Sequence, residues 1–312
     1  CVDLSRYRRW YNVSGGAMLR LCFDYGTALH GEVMTSLNEF TPNTPLVLLG
    51  CGNMGAALAR GWLACGLQPA ALVIVDPSYK PEQIPTAKGA LVVPDVPALG
   101  DRIKAKAIVL AVKPQIINDV MPKLAPVVNG DTLVISVAAG VTLGQMARGL
   151  GHGVQCARVM PNTPSAVGAG ASGIVCGPTV APANKQTAQA LMEAVGIAVM
   201  LETEDQINAV TATSGSGPAY VFHMVEALAA AGEMQGLTPV VAEALARQTI
   251  IGAAKLLEAD AEASAGALRE RVTSPKGTTE AALGVLMGDG GFGDLMIRAT
   301  TAAVKRSKEL AG

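Results

Sequence analysis

The stretch Leu46 to Gly55, LVLLGCGNMG, constrains this chain most, because an apolar run ends there in three glycines spaced G-x-G-x-x-G. Such a run reads as the first strand of a parallel sheet turning tightly into a helix. Gly50 permits the turn, Gly52 lets the backbone come close to a pyrophosphate, and Gly55 lets the helix pack against the strand. The helix N-terminus, opening with Asn53 and Met54, then offers unpaired N–H groups to the phosphates. The spacing alone also fits an ordinary glycine-rich turn. Here a helical pattern follows from Asn53 to Cys65, then a second apolar strand from Ala71 to Val75, ending in Asp76 about 20 residues past the last glycine, where a carboxylate reads a ribose.

Composition narrows the class. Half of the 312 residues are hydrophobic, 16% are charged, and the formal net charge is −1. No basic footprint marks a partner such as nucleic acid or an anionic membrane, and no apolar run reaches the length that spans a bilayer. The six cysteines form no C-x-x-C pair and the three histidines are far apart. The reading is a reduced, cytoplasmic protein with no metal site and no disulfide framework.

Residues 1 to about 33 hold five of the chain's eleven aromatics and show no clean period. Residues 1–40 are expected to form an extension outside the fold, disordered or added by cloning or by a misassigned start. Cys1 at the beginning and Met34 ahead of TSLNEFTPNTP favour that over a targeting peptide, and the sequon at Asn12 is then chance. From Pro45 to about Glu204 strands and helices alternate, the signature of a doubly wound α/β sheet. Strands are expected near 90–93, 107–112, 132–138, 154–159, 173–176 and 197–201, with a helix over 115–124. Ligands gather beyond the carboxyl ends of such strands, which brings together Gly50–Gly55, Asp76–Ser78, AVKPQ (Ala111, Val112, Lys113, Pro114, Gln115), VAAG with Ala138, and MPNTP with Asn162. Each alone also fits a plain turn.

From residue 205 to 312 the pattern is helical only, with long helices expected over 205–234 and 239–259. SGSGP, including Ser216, interrupts the first of these, where glycine and proline are costly; either the helix kinks or a ligand or neighbouring helix comes close. In VTSPKGTTEAAL, a Ser-Pro-x-Gly-Thr-Thr turn opens a helix, so Ser274, Thr278, Thr279 and backbone N–H groups can converge on an anion. Plain capping would account for one of the three hydroxyls.

These segments together closely resemble pyrroline-5-carboxylate reductases. The likeness rests on VLLGCGNMG, LAVKPQ, RVMPNTPSAVGAG, TATSGSGPAYVF and VTSPKGTTEAALGVL, in that order, over about Pro45 to Leu310. It implies a Rossmann-type domain (45–204) followed by a helical substrate and dimerisation domain (205–312), and reduction of a cyclic imine carboxylate to L-proline by NADPH, with NADH the alternative. It further implies an active site between one subunit's nucleotide domain and the helices of a homodimer, with decamers built from dimers as the larger assembly. By that resemblance Ser274, Gly277, Thr278, Thr279 and Ser216 hold the substrate, Thr279 sets its hydroxyl beside the ring nitrogen, and Glu262 matches an acidic position near the site. The family's commonest loop has glycine where this chain has Lys276, which leaves the role of that lysine open. Two other readings stand beside this one. One is a related dehydrogenase relying on a helical-domain lysine, for which Lys255 is the candidate; the other is a nucleotide-binding protein without turnover.

Overall fold

In the computed structural model, residues 33, 36–100, 103–151 and 153–311 are described. Strand β1 (Leu46–Leu49) is a four-residue apolar run, buried throughout. So are β2 (Leu72–Val75) and β4 (Ala107–Leu110), and β5 (Leu133–Ser136) is buried throughout and apolar but for Ser136. A strand apolar on both faces is stable only where helices cover both faces of a parallel sheet. The eight strands, with β3 (Leu91–Val93), β6 (Gln155–Met160), β7 (Gly170–Cys176) and β8 (Gly196–Met200), lie in the order β3-β2-β1-β4-β5-β6-β7-β8. The first six are parallel, β7 runs antiparallel to β6, and β8 is parallel to β7.

Alternation along each strand splits the core in two. Leu46 and Leu48 share one cluster with Trp62 and Leu191, while Val47 and Leu49 share another with Met121 and Met146. On the first face, α1 (Asn53–Ala64) docks on α4 (Pro182–Glu193), where Trp62 Nε1 donates to the carbonyl of Leu191 at 2.8 Å. The other face carries α2 (Pro114–Val120) and α3 (Leu143–Leu150).

The expectation that residues 1–40 lie outside the fold is corrected at its C-terminal end. Val33, Leu37 and Phe40 are buried in the cluster around Trp62. Their spacing of i, i+4, i+7 is a helical stripe, and Lys106 pairs with Glu39 while lying over the Phe40 ring. Residues 1–32, including the sequon, lie outside the described residues.

The chain divides into two compact units. One is the sheet unit, which runs through Gly215 and takes in the chain again from Val304; the other is Ser216–Ala303. The helix expected over 205–234 is interrupted: α5 (Gln206–Val210) passes into a π-helical turn, Thr211–Gly215, and α6 (Gly217–Met234) starts afresh. Pro218 thus sits in the first turn of α6, where its missing N–H costs nothing. Within the sheet unit, Ser307 and Asn208 side chains hydrogen-bond at 2.8 Å. The helical unit continues with α7 (Pro239–Ala259), α8 (Ala265–Arg271), α9 (Thr278–Leu286) and the start of α10 (Phe292–Ala311).

Candidate active site

In the sheet unit, the strand order sets the ends of β2, β1, β4, β5 and β6 side by side, so Asp76, Gly50, Ala111, Ala138 and Asn162 follow the carboxyl ends of five neighbouring parallel strands. Gly50 has φ +89°, and a Cβ there would come within 2.7 Å of the Ala111 carbonyl oxygen. A Cβ on Gly55 would stand 2.1 Å from the Gly50 carbonyl oxygen. At Gly52 a Cβ would meet nothing within 4 Å, so the backbone there faces open space. Helix α1 begins at Asn53 with Gly52 as its N-cap and no side-chain cap. Its first-turn N–H groups are therefore left for an anion, and the turn fits a dinucleotide pyrophosphate.

The turn is tied to the loop after β2. Asp76 Oδ2 accepts from the Cys51 N–H at 2.6 Å, and Oδ1 accepts from the Ser78 N–H at 2.7 Å. Gln83 Nε2 donates to the Cys51 carbonyl at 3.2 Å, and Gln83 Oε1 accepts from the Lys80 N–H at 2.7 Å. Arg60 Nη1 closes the set on the Gln83 carbonyl at 3.1 Å. Burial first, then the Asp76 carboxylate, pushes the Cys51 thiol up to about 11 against a smaller opposing effect of Arg60. Cys51 is thus a neutral packing thiol at physiological pH, not a nucleophile.

Lys113 is the N-cap of α2, Pro114 opens it, and no side chain caps it. The Asn162 side chain already has partners: Nδ2 donates to the Ser214 carbonyl in the π-helical turn at 3.0 Å, and Oδ1 accepts from the Ala171 N–H at 2.8 Å. Asn162 therefore braces MPNTP against that turn.

In the helical unit, Ser274, Gly277, Thr278 and Thr279 lie within one turn at the start of α9. The Gly277 N–H bonds back to the Ser274 carbonyl at 3.0 Å. Gly277 is the N-cap, and no side chain caps the helix. Among the described residues, the hydroxyls of Ser274, Thr278 and Thr279 make no hydrogen bond. Helix capping consequently accounts for none of them, while a carboxylate would satisfy both hydroxyls and N–H groups. Lys276 sits at φ 60°, the one non-glycine residue with positive φ among those described. Its N–H donates to Glu280 Oε2 at 2.7 Å. Ser216 precedes α6 and its carbonyl accepts from the Ala219 N–H at 3.0 Å. Glu262 is exposed in the connection between α7 and α8.

Comparison with known proteins decides the family. The pyrroline-5-carboxylate reductase of Pseudomonas aeruginosa is 40% identical over 271 residues, covering 86% of this chain and 98% of that protein. The chain belongs to the pyrroline-5-carboxylate reductase family. The Escherichia coli reductase is 36% identical, covering 84% of this chain and 96% of that protein. Residues 204–310 match the pyrroline-5-carboxylate reductase dimerisation family, and residues 45–140 match the family described as NADP oxidoreductase, coenzyme F420-dependent. Among solved structures, a pyrroline-5-carboxylate reductase from Coxiella burnetii matches with TM-score 0.79 at 39% identity, covering 86% of this chain and 99% of that one. The Plasmodium falciparum pyrroline carboxylate reductase, solved with NADP bound, matches with TM-score 0.72 at 28% identity, covering 87% and 100%.

The φ of 60° at Lys276 is one that glycine adopts without strain, which accounts for the glycine expected at that position from the resemblance. Two features of the sheet unit are given no role by the motifs. Gln83 carries no motif to mark it. Arg158 did carry a signal, being a charged residue inside an apolar strand; it is buried and pairs with Glu204 at 2.9 Å, while the same Glu204 oxygen accepts from the Leu143 N–H at the start of α3 at 2.8 Å.

Proposed function

We propose that this chain reduces 1-pyrroline-5-carboxylate to L-proline with NADPH, accepting NADH as the second cofactor. The observation that carries the reading is that, in a chain of this family, the α9 loop leaves three hydroxyls and a helix N-terminus without internal partners. Bound NAD(P)H supplies a hydride to the imine carbon. Ser274, Thr278 and the N–H groups at the start of α9 hold the substrate carboxylate, with the helix dipole adding to the attraction. Gly277 is needed by the tight turn itself, since a Cβ there would stand 2.9 Å from the Ser274 carbonyl oxygen. Thr279 places its hydroxyl at the ring nitrogen and orients it. An imine that enters already protonated needs no further acid, and the ring becomes a secondary amine on gaining the hydride. Ser216 and Glu262 complete the substrate side; Gly50, Gly52, Asn53, Met54, Gly55, Ala111, Val112, Lys113, Pro114 and Ala138 line the cofactor side.

NADPH is favoured by the matching NADP oxidoreductase family, by the NADP-bound Plasmodium relative, and by the exposed Ser78 and Lys80 beside Asp76. The protein works in the cytoplasm as a homodimer or as a decamer built from dimers, without nucleic acid or membrane partners. The match to a dimerisation family supports the assembly, and no helix among the described residues is long and apolar enough to cross a membrane. The test is a spectrophotometric assay of reduced-nicotinamide oxidation with 1-pyrroline-5-carboxylate, with proline measured as product. A folded protein that turns over neither cofactor sinks the reading.

A further inference from the structure

Residues that read the ribose in dinucleotide-binding sheets do so with a carboxylate at the end of the second strand, and Asp76 occupies that place. Its two oxygens are already engaged by main-chain donors, however. Oδ2 takes the Cys51 N–H at 2.6 Å and Oδ1 the Ser78 N–H at 2.7 Å. Hydrogen bonds from N–H to an ionised acceptor are among the stronger ones in proteins. The carbonyl of the same Cys51 accepts from Gln83 Nε2 at 3.2 Å, and Gln83 is itself anchored by the Lys80 N–H and by Arg60 on its carbonyl. Cys51 is the residue between Gly50 and Gly52. Both of its main-chain polar groups are thus held by side chains from one loop, and a negative charge that accepts two N–H groups repels a phosphate less than a bare carboxylate does.

We propose that Asp76 and Gln83 are positioning residues that hold the Cys51 main chain from both sides, so that the glycine turn is preset for a pyrophosphate, and that Asp76 does not select between cofactors with and without a 2′-phosphate. The inference rests on the reductase reading for the presence of a dinucleotide. Preorganisation of this kind raises affinity by sparing the turn an ordering cost on binding, and it acts equally on any ligand that carries the pyrophosphate.

Calorimetric titration of the full chain with ADP-ribose and with 2′-phospho-ADP-ribose tests it without turnover, in wild type, Asp76→Asn and Gln83→Leu. Asparagine keeps one acceptor oxygen but turns an NH2 group toward the other N–H; leucine removes the Cys51 partner and leaves Asp76 intact. Each variant, checked for folding by circular dichroism, is expected to raise Kd for both probes by roughly tenfold, the worth of one hydrogen bond to a charged group or one lost anchor. The ratio of the two Kd values then stays within about twofold of wild type. If Asp76→Asn instead tightens the 2′-phosphorylated probe while weakening the other, Asp76 reads the ribose and the inference fails. If both Kd values stay put while the melting temperature drops, the contacts only support the fold and the inference fails as well. Wild type binding neither probe brings down the reductase reading itself.

Discussion

In the sheet unit, strands β1, β2, β4 and β5 are buried end to end, and both main-chain polar groups of Cys51 in the glycine turn have partners. In the helical unit, the buried cluster consists of Ala229, Ala242 and Ala246. There Met234, Val240 and Val285 are 83%, 80% and 77% exposed, and the three hydroxyls of the α9 loop are free. Among the described residues, the first unit holds its glycine turn by bonds within one chain and leaves helix N-termini uncapped at Gly52 and Lys113. The second leaves apolar surface exposed and hydroxyls without partners; in the proposed function a second copy and the substrate fill them. Substitutions in the first should therefore register in folding as well as binding, and substitutions in the second in assembly or catalysis with little change in the fold.

The largest effect is expected from Gly55→Ala, set against Gly52→Ala. The added carbon at 55 meets the Gly50 carbonyl oxygen at 2.1 Å, backbone against backbone. Overpacking of this kind costs about 1–3 kcal/mol or more, so the melting temperature should fall by about 3–10 °C. Cofactor binding should weaken by at least about a hundredfold as the turn shifts. At Gly52, with nothing within 4 Å, the melting temperature should hold while cofactor Kd rises, since the methyl occupies ligand space. Calorimetry and thermal melts on the two variants separate the cases; equal melting curves would break the comparison.

Next is Leu245→Glu in the helical unit. Leu245 is 55% exposed and lines an apolar groove of about 320 Å³ with Leu228, Leu237 and Ala242 between α6 and α7. An exposed site tolerates this change within about 0.5 kcal/mol. Buried against a second copy, the unpaired charge costs about 2–5 kcal/mol, which weakens association roughly 30- to several thousandfold. Light scattering at micromolar concentration should show a smaller particle than wild type with an unchanged circular dichroism spectrum. An unchanged mass would place the assembly surface elsewhere.

Thr279→Ala follows. Loss of a hydrogen bond to a charged or developing polar group is worth about 1.5–3 kcal/mol, or about 10- to 150-fold in kcat/KM. Because the hydroxyl caps nothing, the melting temperature and the cofactor Kd should stay unchanged. Full activity with a lowered melting temperature would mean that the hydroxyl serves the helix. Ser274→Ala should raise KM more than it lowers kcat, having removed binding common to ground and transition states.

How much of this was readable from residues follows the same division. The glycine turn was legible because its constraints are local: Gly50 and Gly55 answer to atoms a few residues away or just past the neighbouring strand β4, while Gly52 faces open space. The SGSGP anomaly was legible as a break but not as a π-helical turn, whose Ser214 carbonyl is held by Asn162 from 52 positions away. The stripe of Val33, Leu37 and Phe40 is hard to read from residues because its aromatic-rich surroundings have no period of their own. The antiparallel β7 and the grip of Gln83 on Cys51 have no local signature, because both depend on how distant segments meet. On the helical side, three hydroxyls in one turn pointed to an anion, but only the structure showed that none of them is spent on capping.

The smallest effect, and the one that most sharpens the comparison, is expected from Lys276→Gly. At φ 60° a side chain costs about 1–2 kcal/mol relative to ordinary backbone, which glycine relieves, but glycine also loses about 0.5–1 kcal/mol more backbone entropy on folding. The balance is a gain of roughly 0.5 kcal/mol, or a melting temperature higher by about 1–2 °C. If the loop holds the substrate carboxylate as proposed, a lysine kept there at a strained φ is expected to use its charge. Removing it should therefore raise KM for the carboxylate substrate two- to threefold at low salt, and kcat should be unaffected because an exposed cation attracts ground and transition states alike. That KM difference should shrink as ionic strength rises, since an exposed charge is screened within about 8–10 Å. A KM shift that persists at high salt would mean that Lys276 acts by fixing the loop's shape, and the helical unit would then have one preset element of the kind found in the glycine turn. No KM shift at all, with the melting temperature raised, would leave Lys276 as strain without a role in binding.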